Sequence, residues 1–87
     1  MTSRYQIELT RAARRALDSL PTKAQKQIDR QILALAKNPY PPGSKKLKGV
    51  EGLHRIRVGD YRILYIVETH RLVIVIVTIG HRRDVYR

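Results

Sequence analysis

The thirteen residues Leu53-His54-Arg55-Ile56-Arg57-Val58-Gly59-Asp60-Tyr61-Arg62-Ile63-Leu64-Tyr65 decide the fold. Gly59-Asp60 suits a two-residue hairpin turn between two runs of β type, Leu53 to Val58 and Tyr61 to Val67. With the turn there, Val58 lies opposite Tyr61, Arg57 opposite Arg62, Ile56 opposite Ile63 and Arg55 opposite Leu64. Opposed residues share a face. One face then collects Ile56, Val58, Tyr61, Ile63 and Tyr65, a core surface, and the other collects Arg55, Arg57 and Arg62. Like charges directly opposed on a sheet cost tenths of a kcal/mol up to about 1 kcal/mol, which a sequence optimised only for folding would avoid. This predicts an anion site, with three guanidinium groups aimed at one or two phosphates. The alternative is that the long side chains splay into water and the face is merely wet. The register that builds the core also brings the arginines together.

Working outward, Leu72 to Ile79 is the longest apolar run, interrupted by Thr78. It falls far short of the roughly 18 to 20 residues of a membrane span and reads as a buried strand, reached through a four-residue turn at Glu68 to Arg71. That strand is expected to deliver His81 and Arg82 to the sheet's end, near the hairpin. Towards the amino terminus, Tyr5 to Leu9 alternates as a half-buried strand. Thr10 can cap a helix to about Leu20, with an apolar stripe of Ala12, Ala13, Ala16, Leu17 and Leu20, ended by Pro21. Thr22 and Gln25 have the form of a capping box opening a second helix. There Ala24, Ile28, Ile32, Leu35 and Ala36 recur at helical spacing until Asn38-Pro39. Asn38 to Ser44, rich in proline, is a loop and not a domain linker, because neither flank could form a core alone. The predicted fold is one α+β domain over residues 1–87: an N-terminal strand, a helical hairpin, then a mainly antiparallel sheet of about four strands with the helices on one face.

The composition bounds the function. The 87 residues carry 18 Lys plus Arg against 7 Asp plus Glu, a net charge of +11. A chain this short has no room for both a core and a large internal cavity, which disfavours a large-cofactor enzyme. Its apolar content is too high for a disordered tail, so the charge sits on a folded surface. Twelve of the 18 cations are Arg, whose planar fork matches phosphate oxygens; the balance points to a polyanion, nucleic acid first. The chain has no Cys, hence neither disulfides nor a thiolate site, which fits a reducing cytosol. Met1 to Thr10 has no apolar run behind Arg4, so no signal peptide is expected. His54 falls on the core face and reads as structural, His70 sits in a turn, and neither is spaced with carboxylates for a metal. Ser3, Ser19 and Ser44 lack triad context, and there is no Gly-rich phosphate loop. For proton transfer near neutrality this leaves His81 and tyrosine, since arginine keeps its proton.

Taken with the element order, three stretches resemble the RelE/ParE superfamily of bacterial and archaeal toxins: Lys46-Leu47-Lys48-Gly49, the strand pair just described, and the ending Gly80-His81-Arg82-Arg83-Asp84-Val85-Tyr86-Arg87. The likeness spans nearly the whole chain and looks closest to the RelE ribosome-dependent mRNA endonucleases. It implies a RelE-like fold, cytoplasmic and without membrane contact. It also implies metal-independent cleavage of mRNA in the A site of the 70S ribosome, with contacts to 16S rRNA, no cofactor and a cognate antitoxin as partner. Carried over by the resemblance, Arg62 and Arg82 match phosphate-stabilising arginines and Tyr86 a near-terminal tyrosine. Lys48 matches the basic position of a Leu-basic-Gly motif, with Lys46 beside it, and Arg83 joins the phosphate-binding set. Arg55 and Arg57 stand where relatives carry Lys. Because Arg stays charged, the proton work is expected to move to His81 as acid or base, with Tyr86 as its partner or stacking on an RNA base. The rival expectations are a ParE-like inhibitor of DNA gyrase and a non-catalytic RNA-binding module; the latter is poorly supplied with stacking aromatics, having five Tyr and no Phe or Trp.

Overall fold

The computed structural model describes residues 4–81. The elements run β1 (Gln6–Leu9), α1 (Arg11–Ser19), α2 (Thr22–Lys37), β2 (Lys45–Lys46), β3 (Leu53–Val58), β4 (Tyr61–Glu68) and β5 (Val73–His81). One sheet has the order β1-β5-β4-β3-β2, in which β1 is parallel to β5 and every other pair is antiparallel. The helices pack on one face and the other face is open. The sheet therefore has five strands where four are expected from the sequence. The extra one, β2, is two residues long, too short to show a period.

Both helices bury the stripes that their spacing predicts. Ala13 and Leu17 of α1 and Ile28, Ile32 and Leu35 of α2 meet Ile56, Ile63, Tyr65, Val67, Ile74, Ile76 and Ile79 of the sheet. Full burial of one Ile or Leu contributes about 1.5–3 kcal/mol, so this layer is the main source of stability. Ala12 departs from its expected stripe and is exposed. The capping box of α2 does not form either. Pro21 occupies the N-cap without a side-chain bond, and the Gln25 amide donates instead to the Leu17 carbonyl at 2.9 Å. The two helices are so close in sequence that the Gln25 side chain reaches the last turn of α1, where the Leu17 carbonyl, already accepting from Leu20 N at 3.2 Å, takes it as a second donor.

The cap of α1 does form and reaches further than the helix. Thr10 Oγ1 accepts from Ala13 N at 3.1 Å and donates to the Val77 carbonyl at 2.6 Å. Val77 is the extra residue of a β-bulge: Leu64 pairs with Thr78, Tyr65 pairs with Ile76, and Val77 has no opposite number on β4. A bulge leaves one residue outside the ladder, and here the Thr10 hydroxyl satisfies its carbonyl. The bulge also inverts alternation along β5. Ile74 and Ile76 point to the helices before it, and Ile79 and His81 after it.

The outer surface of the helical layer is electrostatically unfavourable for helix formation. Residues 11–37 carry Arg11, Arg14, Arg15, Lys23, Lys26, Arg30 and Lys37 against only Asp18 and Asp29. Neither helix has an acidic residue in its first turn, where one would complement the dipole. Like-charge pairs three or four apart, such as Lys23 with Lys26 and Lys26 with Arg30, each oppose the helix by roughly 0.2–0.5 kcal/mol.

Candidate functional site

The tip of the β3–β4 hairpin is set by Gly59, whose φ of +60° is open to glycine and costly to other residues. Positive φ at the first central position but not at Asp60 is the type II′ pattern, whose twist matches the flanking strands. The pairing that follows puts Val58 opposite Tyr61, Arg57 opposite Arg62, Ile56 opposite Ile63 and Arg55 opposite Leu64, as the sequence predicts. Arg55, Arg57 and Arg62 thus share the open face. Arg57 is exposed and the other two are half-buried, with their Nε atoms shielded from solvent.

A fourth cation belongs to this face and is missing from the sequence reading. Lys45 of β2 pairs with Arg55, extending the cationic row to the sheet's edge. The only signal available is that Lys45 and Lys46 must point to opposite faces if they form a strand; the choice between them needs the pairing partner. Lys46 pairs with His54 and so points to the helix side. Lys48 lies beyond the strand, and both line a shallow groove of about 530 Å³ with Leu47, Gly49, Val50 and Glu51. The register therefore puts Lys46 on the opposite side of the sheet from the arginines.

His81 is also separated. It pairs with Tyr61, and the two rings meet edge-on, with centroids 5.9 Å apart and planes at 77°. This places the imidazole on the helix side, while its neighbour Gly80 sits opposite Arg62. The backbone of His81 does reach the hairpin's end of the sheet. Its ring, however, is turned away from Arg57 and Arg62 because of the bulge at Val77. Arg82, Arg83 and Tyr86 lie outside the described residues.

His54 is structural, as expected. Its ring is buried, and Nδ1 donates to the Gly52 carbonyl at 2.8 Å. It stacks on Tyr65 at 5.7 Å and 24° and tilts against Tyr40 at 5.1 Å. The Tyr65 hydroxyl donates to the Pro39 carbonyl at 2.7 Å, pinning the proline-rich loop beneath β3 and β4. Burial pushes the Tyr65 phenol up to about 12, opposed by a hydrogen bond with Ser44 and reinforced by Tyr40, so it is a fixed neutral donor. Gly52, at φ +80°, faces the Val67 backbone so closely that a Cβ would lie 2.8 Å from the Val67 carbonyl oxygen. That contact locks the start of β3 onto β4.

The open face is polarised. At its far end Arg71 bridges Glu68 at 2.6 Å and Glu8 at 3.6 Å. Half-buried Leu64, Ile66 and Val75 cross the middle. The near end carries Lys45, Arg55, Arg57 and Arg62. Such a surface can hold a chain of phosphates and stabilise negative charge developing on one of them. Among the described residues no three His, Asp or Glu side chains are grouped to hold a metal, and no helix is long and apolar enough to cross a membrane.

Comparison with known proteins gives a consistent picture. The family model described as ParE toxin of type II toxin-antitoxin system, parDE, matches residues 7–86. Toxin RelE of Mycobacterium tuberculosis is 33% identical over 84 residues, covering 95% of this chain and 87% of the relative. Toxin RelG of the same organism is 30% identical over 84 residues, covering 95% and 97%. Among solved structures, the archaeal RelE–RelB complex from Pyrococcus horikoshii superposes with a TM-score of 0.82 at 29% identity, covering 93% of this chain and 98% of that one.

Proposed function

The chain belongs to the RelE/ParE family of toxins from type II toxin–antitoxin systems, and on that premise we propose that it is a ribosome-dependent endoribonuclease cutting mRNA in the A site. The observation that carries this reading is the pairing of Arg57 with Arg62, flanked by Arg55 and Lys45, on one open sheet face. In the proposed reaction the RNA 2′-oxygen attacks the adjacent phosphorus and loses its proton to a base. The bond from phosphorus to the 5′-oxygen breaks, and that oxygen takes up a proton. The products are a 2′,3′-cyclic phosphate and a free 5′-hydroxyl, and no cofactor is consumed. Charge grows on the non-bridging phosphate oxygens in the transition state, and fixed cations aimed there lower the barrier most. Arg62 takes that role with Arg57 beside it, Arg55 and Lys45 hold the neighbouring backbone, and Arg82 joins them by family likeness.

Proton transfer falls to Tyr86 in this proposal, because phenol can donate or accept and the His81 ring faces the helices. Lys46, Lys48 and Arg83 contact RNA phosphates away from the scission point. The partner that restrains the toxin is a cognate antitoxin. The archaeal relative was solved bound to RelB, and a net charge of +11 speeds association with an acidic protein. The substrate puts the site of action in the cytoplasm.

The test is a translating-ribosome assay with a defined codon in the A site. Cleavage within that codon is expected, ending in a cyclic phosphate. The ParE family match favours a second reading, inhibition of DNA gyrase. Intact mRNA after brief induction, together with a DNA-damage response, would select it, and binding to ribosomes without cleavage would leave a non-catalytic RNA-binding module.

A further inference from the structure

Five glycines occur in the chain, and four of them, Gly43, Gly49, Gly52 and Gly59, adopt a positive φ that other residues take only at a cost. Gly80 differs. It has no positive φ and sits inside the β4–β5 ladder opposite Arg62, where the backbone suits any residue. The run leading to it, Val73 to Ile79, consists wholly of β-branched residues, which fit a pleated sheet, whereas glycine weakens one. Backbone conformation therefore leaves this glycine unexplained, and its distinguishing property is the missing side chain. A glycine inside a strand often marks a place where a ligand comes close to the backbone.

Its position says which ligand. On the open face Arg57, Arg62 and Gly80 form one row across β3, β4 and β5, with neighbours about 4.8 Å apart. β1 pairs with β5 only from Val73 to Ile76, so among the described strands the row ends at Gly80. Two cations are thus followed by a flat, half-buried stretch of backbone. Thr78, opposite Leu64 on the same face, puts a hydroxyl beside it. We propose that Gly80 is the seat of the ribose next to the scissile phosphate: with the phosphate on Arg57 and Arg62, the sugar comes down on the β5 backbone where a Cβ would otherwise stand. This rests on the endoribonuclease reading and adds to it a residue that positions the substrate by shape instead of charge. The reaction needs such a contact. Attack by the 2′-oxygen requires that oxygen, the phosphorus and the departing 5′-oxygen to lie nearly in line, and a phosphate gripped by cations alone still turns about its ester bonds. Pressing the neighbouring sugar against a strand removes that freedom. The Thr78 hydroxyl can donate to or accept from a ribose hydroxyl, so the seat reads the sugar and not the base.

The experiment compares the natural full chain with Gly80→Ala and Gly80→Val. On programmed ribosomes, the single-turnover cleavage rate at saturating toxin should fall about 100-fold with valine, the scale of misplacing a reacting group by about 1 Å, and less with alanine. The toxin concentration giving half saturation should hardly change, and Tm should hold or rise, because both residues suit a strand better than glycine. A second readout needs no cleavage. In an NMR titration of the natural chain with a single-stranded RNA hexanucleotide, without ribosomes, the Gly80 and Arg62 amides should shift together while those of Gln6 and Glu68 stay, and the valine variant should bind more weakly. Undiminished cleavage in Gly80→Val would overturn the proposal, and so would a parallel fall of Tm and rate in both variants, which would make the glycine structural. Should valine alone lower Tm, alanine, which adds one carbon, decides. A natural chain that never cuts mRNA but shows the Gly80 shift, with weaker binding in the valine variant, removes the nuclease reading and keeps the seat. Cleavage slowed by Arg62→Ala and untouched by Gly80→Val removes the seat alone.

Discussion

At the tip of the β3–β4 hairpin, register is set by residues adjacent in the chain: a two-residue turn and Gly59 at φ +60°. At the end of β5, only one strand away, register is set by Thr10, whose hydroxyl reaches a carbonyl 67 residues on. The first arrangement fixes which face Arg57 and Arg62 occupy whatever the rest of the molecule does. The second makes the face of His81 depend on a tertiary hydrogen bond and a bulge. A side chain whose direction is locally determined can be relied on for chemistry, whereas one beyond a bulge is only as well placed as the bulge is stable.

The largest expected effect breaks the comparison at its functional end. Arg62→Ala should remove about 2–4 kcal/mol of transition-state stabilisation, roughly 30- to 1,000-fold in the single-turnover rate of mRNA cleavage, with little change in Tm. Lys46→Ala, on the helix side, should leave that rate within a few fold. Equal losses at the two positions would mean that the basic surface acts as diffuse glue with no preferred face.

Thr10→Val should be the next largest, and it acts on the other region. It deletes an N-cap, worth about 0.5–2 kcal/mol, and leaves the Val77 carbonyl without its donor, about 1–3 kcal/mol. Together these lower stability by roughly 2–4 kcal/mol. In NMR spectra the Tyr61–His81 ring contact should weaken while cross-strand contacts between Arg57 and Arg62 persist. Loss of both sets together would show that the two registers are not independent.

This difference also explains what could be read from the chain alone. The hairpin register, the buried helical stripes, the Thr10 cap and the structural role of His54 all follow from spacing within one element or across one tight turn. β2, the parallel docking of β1 on β5 and the bulge at Val77 are tertiary choices. A two-residue strand has no period, and a strict alternation through Ile74, Ile76 and Thr78 gives no warning that Val77 will be looped out. Lys45 and the direction of the His81 ring are not legible in the sequence for the same reason: each takes its face from a partner strand.

Tyr65 sharpens the comparison from the hairpin side through pH. Its folded-state pKa of about 12 stands above the ordinary value of 10.0, so the folded chain holds the phenolic proton more tightly than the unfolded one. Its contribution is therefore complete below about pH 10 and is lost as pH rises towards 12, by roughly 2–3 kcal/mol. Chemical denaturation of the natural chain and Tyr65→Phe should show converging stabilities over that window. A constant gap between them would mean that the phenol ionises as freely in the folded chain as in the unfolded one.

The smallest effect is expected at His81. Losing a general acid or base costs 10² to 10⁴ in rate, and His81→Gln would reach that scale only if the imidazole met the phosphate held by Arg62. Its ring instead lies on the helix side against Tyr61, with the strand backbone and Gly80 between it and the arginine face. The single-turnover rate in His81→Gln should therefore fall less than about tenfold, through a loosened Tyr61 and hairpin tip and not through lost proton transfer. The pH–rate profile separates the two cases. A profile that keeps its shape in the variant leaves the proton work with the residues after His81. A hundredfold loss with one limb of the profile abolished would require the RNA to wrap around the end of β5 and meet the ring from the helix side.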